Sequence, residues 1–143
     1  MATLQLNTKI NASKEKIWGV LWDDASYRRW AAVFMEGSHA VSDWNEGSEI
    51  RFLGPKNDGM FGIIEKKIPN QQMTFKHEGE IKNGIKEVND WSEATESYFL
   101  SENNGVTDLA VVLSMKDNSE FEEYFRNTFP KALEIIKQIS EGE

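Results

Sequence analysis

Near the end of the chain, apolar residues recur every three or four positions, which predicts one long helix from Ser119 to Ile139. Its apolar face consists of Phe121, Phe125, Phe129, Ala132, Leu133, Ile136 and Ile139. Ser119 and Glu122 form a capping box at its start, and Gly142 can end it. Such a helix is not stable alone, so an apolar surface of matching length must cover it.

The remainder of the chain predicts that surface as a sheet. Apolar and polar residues alternate from Thr3 to Ile10, as in a half-buried strand. Two short helices follow, the first capped by Ser13 and the second carrying Trp30. After Gly37 the alternation returns and predicts six more strands. These are His39 to Trp44, Glu49 to Leu53, Met60 to Ile68, Met73 to Ile81, Trp91 to Leu100 and Val106 to Met115.

This order of elements predicts an α+β fold in a single domain of residues 1–143. Short connections rich in Gly, Asn and Pro imply antiparallel pairing. We therefore expect a seven-stranded curved antiparallel sheet gripping a long C-terminal helix, with two short helices after the first strand. Pro130 lies within the long helix and should kink it at Arg126 to Phe129, because proline lacks a backbone donor.

The composition and net charge of the chain exclude several classes of binding partner. The net charge of −8, from 24 acidic and 16 basic residues, opposes binding to nucleic acid and to anionic membranes. No apolar run is long enough to span a bilayer, and the first ten residues do not resemble a signal peptide. Cysteine is absent, which excludes disulfides and thiolate chemistry. Together these features predict a cytoplasmic protein.

Alternation along the strands also predicts which side chains point inward. Three polar groups, His77, Glu96 and Tyr98, are expected on the inward face, where they could orient a ligand or act as acid and base. The alternative is that they lie solvated at the end of the sheet, because ionisable residues are rarely buried unpaired. A one-residue bulge would reverse any of these assignments. Inward positions on the last strand are Thr107, Leu109, Val111 and Leu113.

Five tryptophans are more than an ordinary core of this size needs. Trp18 and Trp22 are expected to pack the first helix on the sheet. For Trp30, a role in core packing and a role in the wall of a cavity are equally expected. The predicted ligand-binding residues are Trp30, Phe34, Phe52, Phe75, His77, Trp91, Glu96, Tyr98, Leu109, Phe125 and Phe129. Ligand access is predicted between the second helix and the turn from Gly54 to Gly59.

No cofactor or metal is predicted. His39 and His77 lack partners at the spacing of metal ligands. The sequence also contains no phosphate-binding loop and no nucleophile elbow.

Four stretches resemble the helix-grip superfamily, which includes START lipid-transfer domains, Bet v allergens and polyketide cyclases. They are Ile10 to Trp18, Tyr27 to Trp30, Gly62 to Pro69 with Met73 to Phe75, and Gly105 to Leu109. Within that superfamily the chain is most similar to bacterial homologues of the activator of heat-shock protein 90 ATPase. The resemblance implies the fold described above and suggests a role in the stress response.

Three functions remain open. The first is binding of a small apolar molecule in a cavity between the sheet and the C-terminal helix. The second is a cyclase- or hydrolase-type enzyme, which would need His77, Glu96 or Tyr98 in that cavity; its catalytic residues are not assigned. The third is a protein-interaction module like a chaperone ATPase activator. A homodimer is also an open alternative.

Overall fold

The computed structural model describes residues 2–88, 94–115 and 120–142, without the side chains of residues 2, 120 and 121. The predicted cap at Ser119 and the predicted site residue Trp91 lie outside the described residues, as does the side chain of Phe121. The elements are β1 (Ala2–Ile10), α1 (Lys14–Trp22), α2 (Asp24–Ala31), β2 (His39–Val41), β3 (Glu49–Leu53), β4 (Gly59–Ile68), β5 (Gln72–Lys82), β6 (Ile85–Val88), β7 (Thr95–Asn103), β8 (Val106–Met115) and α3 (Glu120–Gly142).

All the strands belong to one antiparallel sheet with the order β1-β8-β7-β5-β4-β3-β2. β6 pairs with β5 outside this path. The predicted antiparallel sheet with a long C-terminal helix is therefore confirmed. The first strand along the chain, β1, pairs with the last, β8, so that β1 lies at one edge of the sheet.

β6 is a strand that the alternation did not predict. Asn83 and Gly84 both have positive φ, which is typical of the tight turn that joins two antiparallel strands. The four residues after this turn are all exposed, so they carry no inward apolar pattern that could mark a strand. Pairing with β5 alone defines them.

Two predicted strands have bounds that differ by more than one residue from those observed. β2 ends at Val41 and does not reach Trp44, whose φ of 65° is incompatible with an extended strand. β7 begins at Thr95 and continues to Asn103, beyond the predicted end at Leu100.

The helices follow their predicted faces. Ser13 accepts a hydrogen bond from the Lys16 amide at 3.1 Å and caps α1. α3 extends beyond the predicted end at Ile139 to Gly142 and continues through Pro130; the kink at this proline stays a prediction. The buried face of α3 includes Phe129, Ala132, Leu133, Ile136 and Ile139. This face packs on β1, α1 and α2.

The inward face of β8 is also confirmed, because alternate residues from Thr107 to Met115 are buried. Among the described residues, no helix combines the length and the apolar composition needed to cross a bilayer.

Candidate functional site

A cluster of aromatic rings around Trp22 fills the interior between α1 and the sheet. Trp22 is the last residue of α1, and its ring lies 4.9 Å from that of Tyr98 and 5.3 Å from that of Phe75, edge to face in both cases. Trp30 lies 6.4 Å from Trp22, and its Nε1 donates to the Leu21 carbonyl at 3.2 Å. Trp30 therefore has its polar edge satisfied within the protein. The predicted packing role of Trp22 fits this position.

Next to these rings lies a cluster of three polar side chains, His77, Glu96 and Tyr98, hereafter the polar trio. Pairing of β5 with β7 sets Phe75 opposite Glu96 and so places the three groups on one face of the sheet. His77 Nε2 lies 3.1 Å from Glu96 Oε1, and the Tyr98 hydroxyl donates to Glu96 Oε2. The structure thus brings together the three polar groups that alternation placed inward.

The polar trio is largely shielded from water. Tyr98 is fully buried, and the side chains of His77 and Glu96 are 11% and 19% exposed. The alternative of three solvated groups at the end of the sheet is therefore wrong. Their mutual hydrogen bonds explain why burial is tolerated, since a buried carboxylate needs donors.

Glu96 also acts on Tyr27, which was not among the predicted site residues. Burial, and then the negative charge of Glu96, raises the pKa of Tyr27 far above that of free tyrosine. The pKa of Tyr98 is raised by burial, by the charge of Glu96 and by their hydrogen bond. Both phenols therefore stay protonated at neutral pH and can act as hydrogen-bond donors. The spacing of Tyr27, Trp30 and Ala31 along α2 is a sequence signal that Tyr27 lies inward, but no sequence pattern indicates that it lies near β7.

Two buried polar atoms in this region have no hydrogen-bond partner among the described residues. They are Nδ1 of His77 and Nε1 of Trp22. Leaving a buried donor or acceptor unpaired costs about 1–3 kcal/mol. Such atoms are candidates for contacts with a bound molecule.

The other predicted site residues lie in three places. Phe52 is half-buried and lies 5.2 Å from the ring of Phe75 and 5.5 Å from that of His77, so it adjoins the polar trio. Phe34, Phe125 and Phe129 form a separate contact group, in which the rings of Phe34 and Phe129 are 4.8 Å apart. Leu109 is fully buried in the core.

The segment after α2 packs against the turn where ligand access was predicted. A Cβ added to Gly37 would lie 2.9 Å from Pro55 Cβ, and one added to Gly54 would lie 2.8 Å from the Met35 sulfur. The turn itself is held by a hydrogen bond from the Gly54 amide to the Asp58 carbonyl, at 2.8 Å. Access at this place therefore requires the two segments to separate.

A small cleft lies on another side of Trp22. It is lined by Trp22, Asp24, Tyr27, Ala40 and Trp44 and has a volume of about 40 Å³. The rings of Trp22 and Trp44 are 5.8 Å apart and inclined at 42°. No group of three or more potential metal-ligating side chains occurs within the described parts of the chain.

Comparison with known proteins agrees with this architecture. The chain is similar to the Aha1 dimer from Colwellia psychrerythraea, with 20% identity over 99% of this chain and 98% of that one and a TM-score of 0.77. Protein ChR145 from Cytophaga hutchinsonii is 22% identical over 96% and 92% of the two chains, with a TM-score of 0.72. CalU16 from Micromonospora echinospora is 16% identical over 99% of this chain and 66% of its own, with a TM-score of 0.70. At these identities the likeness establishes the fold alone.

No curated protein sequence matches the chain. The model of one family, however, covers residues 11–141, which is nearly the whole chain and includes the polar trio. This match confirms the resemblance that the four sequence stretches suggested. The chain therefore belongs to the family of Activator of Hsp90 ATPase homolog 1-like proteins and has its helix-grip, START-like fold.

Proposed function

We propose that this protein binds a small, mostly apolar molecule that carries one hydrogen-bonding group. The observation that carries the proposal is the polar trio, which lies among aromatic rings and leaves His77 Nδ1 buried without a partner among the described residues. Binding sites for small molecules are typically apolar with a few placed polar groups. The trio would hold the polar end of the ligand, and Phe52 and Phe75 would contact its apolar body.

The hydrogen bonds of the trio define the chemistry of that polar end. One oxygen of Glu96 accepts from Tyr98, and the other faces His77 Nε2. An ionised carboxylate only accepts hydrogen bonds, so a neutral His77 must carry its proton on Nε2. Nδ1 then has a free lone pair and accepts a hydrogen bond. The preferred ligand is therefore an alcohol or a phenol.

Binding requires a rearrangement, because the rings around Trp22 are in direct contact. The half-buried Phe52 and the partly exposed Glu96 mark the side of the trio that is least covered. Separation of Gly37 from Pro55 would widen the interior at the predicted access point. A ligand that binds only the widened conformation shifts the population toward it.

A screen of apolar phenols and sterol-like alcohols, each paired with its methyl ether, tests the proposal. The readouts are tryptophan fluorescence and melting temperature. A ligand at about 100 times its dissociation constant should add roughly 2.7 kcal/mol of stability. The methyl ether cannot donate to Nδ1 and should bind roughly 5- to 150-fold more weakly, the equivalent of about 1–3 kcal/mol for an unpaired buried group.

Variants locate the site. His77→Phe keeps a ring but removes Nδ1, so the alcohol and its ether should then bind equally. Phe52→Ala should weaken both ligands, and Phe99→Ala is the matched control because Phe99 lies on the opposite, exposed face of β7. The proposal is wrong if the wild-type protein and His77→Phe show the same preference for alcohol over ether.

The same trio could instead serve acid–base catalysis of the cyclase or hydrolase kind. Incubation of each stabilising compound with the protein, followed by mass spectrometry, distinguishes the two proposals. Conversion that Glu96→Gln abolishes supports an enzyme. Recovery of unchanged compound supports a binding protein.

The family match favours a second candidate, activation of a chaperone ATPase through protein contacts. The ring-filled interior around Trp22 is consistent with it, because such an interior can serve as a rigid core. Measurement of Hsp90 ATPase rate with and without the protein tests this candidate, and an unchanged rate counts against it. The similar Colwellia protein is a dimer, so we also propose self-association, which analytical ultracentrifugation would detect.

A further inference from the structure

The cleft lined by Trp22, Asp24, Tyr27, Ala40 and Trp44, hereafter the tryptophan cleft, has the composition of a site for an organic cation. Three of its five lining residues are aromatic, and a fourth is a carboxylate. The negative ring faces of Trp and Tyr attract cations within about 6 Å of the ring centroid. Trp22 and Trp44 both line the cleft, with ring centroids 5.8 Å apart and ring planes inclined at 42°.

The backbone at Trp44 adopts a conformation that side chains of this size rarely accept. Its φ of 65° lies in the left-handed region. Two hydrogen bonds hold it there. The Trp44 amide donates to Ser42 Oγ at 3.1 Å, and the Trp44 carbonyl accepts from Lys67 Nζ at 2.7 Å. Strain of this kind persists only where surrounding contacts fix the residue, and it is concentrated at functional sites.

Size and charge restrict the occupant further. A volume of about 40 Å³ has room for about three water molecules, which suits a compact head group better than a ring system. Asp24 supplies negative charge at the cleft, and Lys67 Nζ, 2.7 Å from the Trp44 carbonyl, supplies positive charge nearby, in a chain that carries −8 overall. Arg28 Nε lies 3.0 Å from the Asp24 carboxylate and partly offsets that charge, but both side chains are more than half exposed. Ionic pairs of this kind are weak.

From these observations we infer that the tryptophan cleft binds the methylated ammonium group of a small organic cation. The ammonium carbon atoms would contact the rings of Trp22 and Trp44, and Asp24 would balance the charge. This site is separate from the polar trio. It does not depend on the proposed binding of an alcohol, although Trp22 borders both.

The probe is choline, with 3,3-dimethyl-1-butanol as its uncharged counterpart of nearly equal shape. Both compounds carry a hydroxyl group, so the pair is also titrated in Phe52→Ala, in which binding at the polar trio is weakened. Indole resonances of uniformly ¹⁵N-labelled protein would be followed by NMR at constant chloride concentration. Choline should shift the Trp44 indole signal with millimolar affinity. The uncharged compound should bind roughly 5- to 30-fold more weakly, as loss of a cation–π contact implies. Equal binding of the two compounds, or no shift by either, overturns the inference.

Variants at Trp44 distinguish a cation–π contact from apolar contact alone. Trp44→Leu keeps an apolar wall and should lose roughly 5- to 30-fold in choline affinity, whereas Trp44→Phe should lose less, because Trp is the stronger cation–π partner. Trp18→Leu is the control, since Trp18 does not line the tryptophan cleft. Equal affinity of Trp44→Leu and the wild type would contradict the cation–π contact.

Two further variants keep the inference testable if Trp44→Leu does not fold. Asp24→Asn should weaken choline binding, and Arg28→Gln should strengthen it by a factor of roughly 1.5 to 5, because the carboxylate is released from its exposed partner. Phe52→Ala, a variant at the polar trio, should leave choline binding unchanged. Loss of choline binding in Phe52→Ala would place the probe at the trio and refute a separate cleft.

Discussion

Replacement of Trp22 by alanine tests whether this ring is the centre of the core. A buried aromatic side chain removes about 150–250 Å² from water, which at roughly 25 cal/mol per Å² corresponds to about 4–6 kcal/mol. The methyl group of alanine stays buried and the neighbouring rings partly collapse into the cavity, and both effects reduce the loss of stability. We therefore expect Trp22→Ala to lower the free energy of unfolding by about 3–5 kcal/mol, within the range of such truncations.

Trp18→Ala is the matched control on the same helix. Trp18 is half-buried, and its ring lies 6.2 Å from that of Trp22. Its truncation should cost about half as much on the basis of buried area. Urea unfolding followed by circular dichroism measures both losses independently of tryptophan emission. The slope of free energy against urea should stay constant, so that a shift in midpoint reports stability.

The cavity left by Trp22→Ala should also accept a ligand. Dry cavities lined by apolar side chains bind small aromatic molecules. Indole should therefore raise the unfolding midpoint of Trp22→Ala and leave that of Trp18→Ala unchanged. Equal losses in the two variants, or equal effects of indole, would refute the central position of Trp22.

Three other expectations follow from the structure. Leu133→Ala should destabilise by roughly 2–5 kcal/mol because Leu133 is buried on α3, whereas Lys137→Ala should change stability by less than about 0.5 kcal/mol, and urea unfolding would compare them. Because the pKa values of Tyr27 and Tyr98 are raised in the folded protein, only the unfolded chain releases these protons just above about pH 10, so the free energy of unfolding should fall as pH increases there. Tyrosinate absorbance would detect the ionisation, and Tyr98→Phe should reduce the slope of the free energy of unfolding against pH. At a net charge of −8, the protein should not shift a nucleic-acid probe at moderate salt, and salt-sensitive binding at micromolar protein would contradict this.

Periodicity within single elements was predictable from the sequence. The apolar face of α3 around Leu133 and Ile136 and the alternation of β8 around Leu109 follow from fixed repeats of 3.6 and 2 residues, which depend on neighbouring positions alone. Positions with no inward apolar pattern, such as Ile85 to Val88, gave no signal, because only pairing with β5 makes them a strand.

The relation between distant strands was less predictable. His77 and Glu96 are 19 positions apart, and alternation could place each on a face without establishing that they touch. β4 contains two register irregularities, at Phe61/Gly62 and at Ile64/Lys66, and a sequence pattern cannot locate such shifts. The strand pairing observed between β5 and β7 determines that a carboxylate lies between an imidazole and a phenol.

The sequence by itself therefore determined the α+β class and the faces of α3 and β8, because these depend on local periodicity. It left open whether the polar trio lies inward or solvated at the end of the sheet. Only the tertiary structure decided that Trp22 contacts Phe75 and Tyr98. It also decided that Tyr27 lies close enough to Glu96 for the charge of Glu96 to raise its pKa, and that Trp44 lines a cleft with its backbone in a left-handed conformation. These features arise where separate elements meet. Their geometry depends on how α1 and α2 pack on the sheet, and that packing is not encoded in any single stretch of the chain.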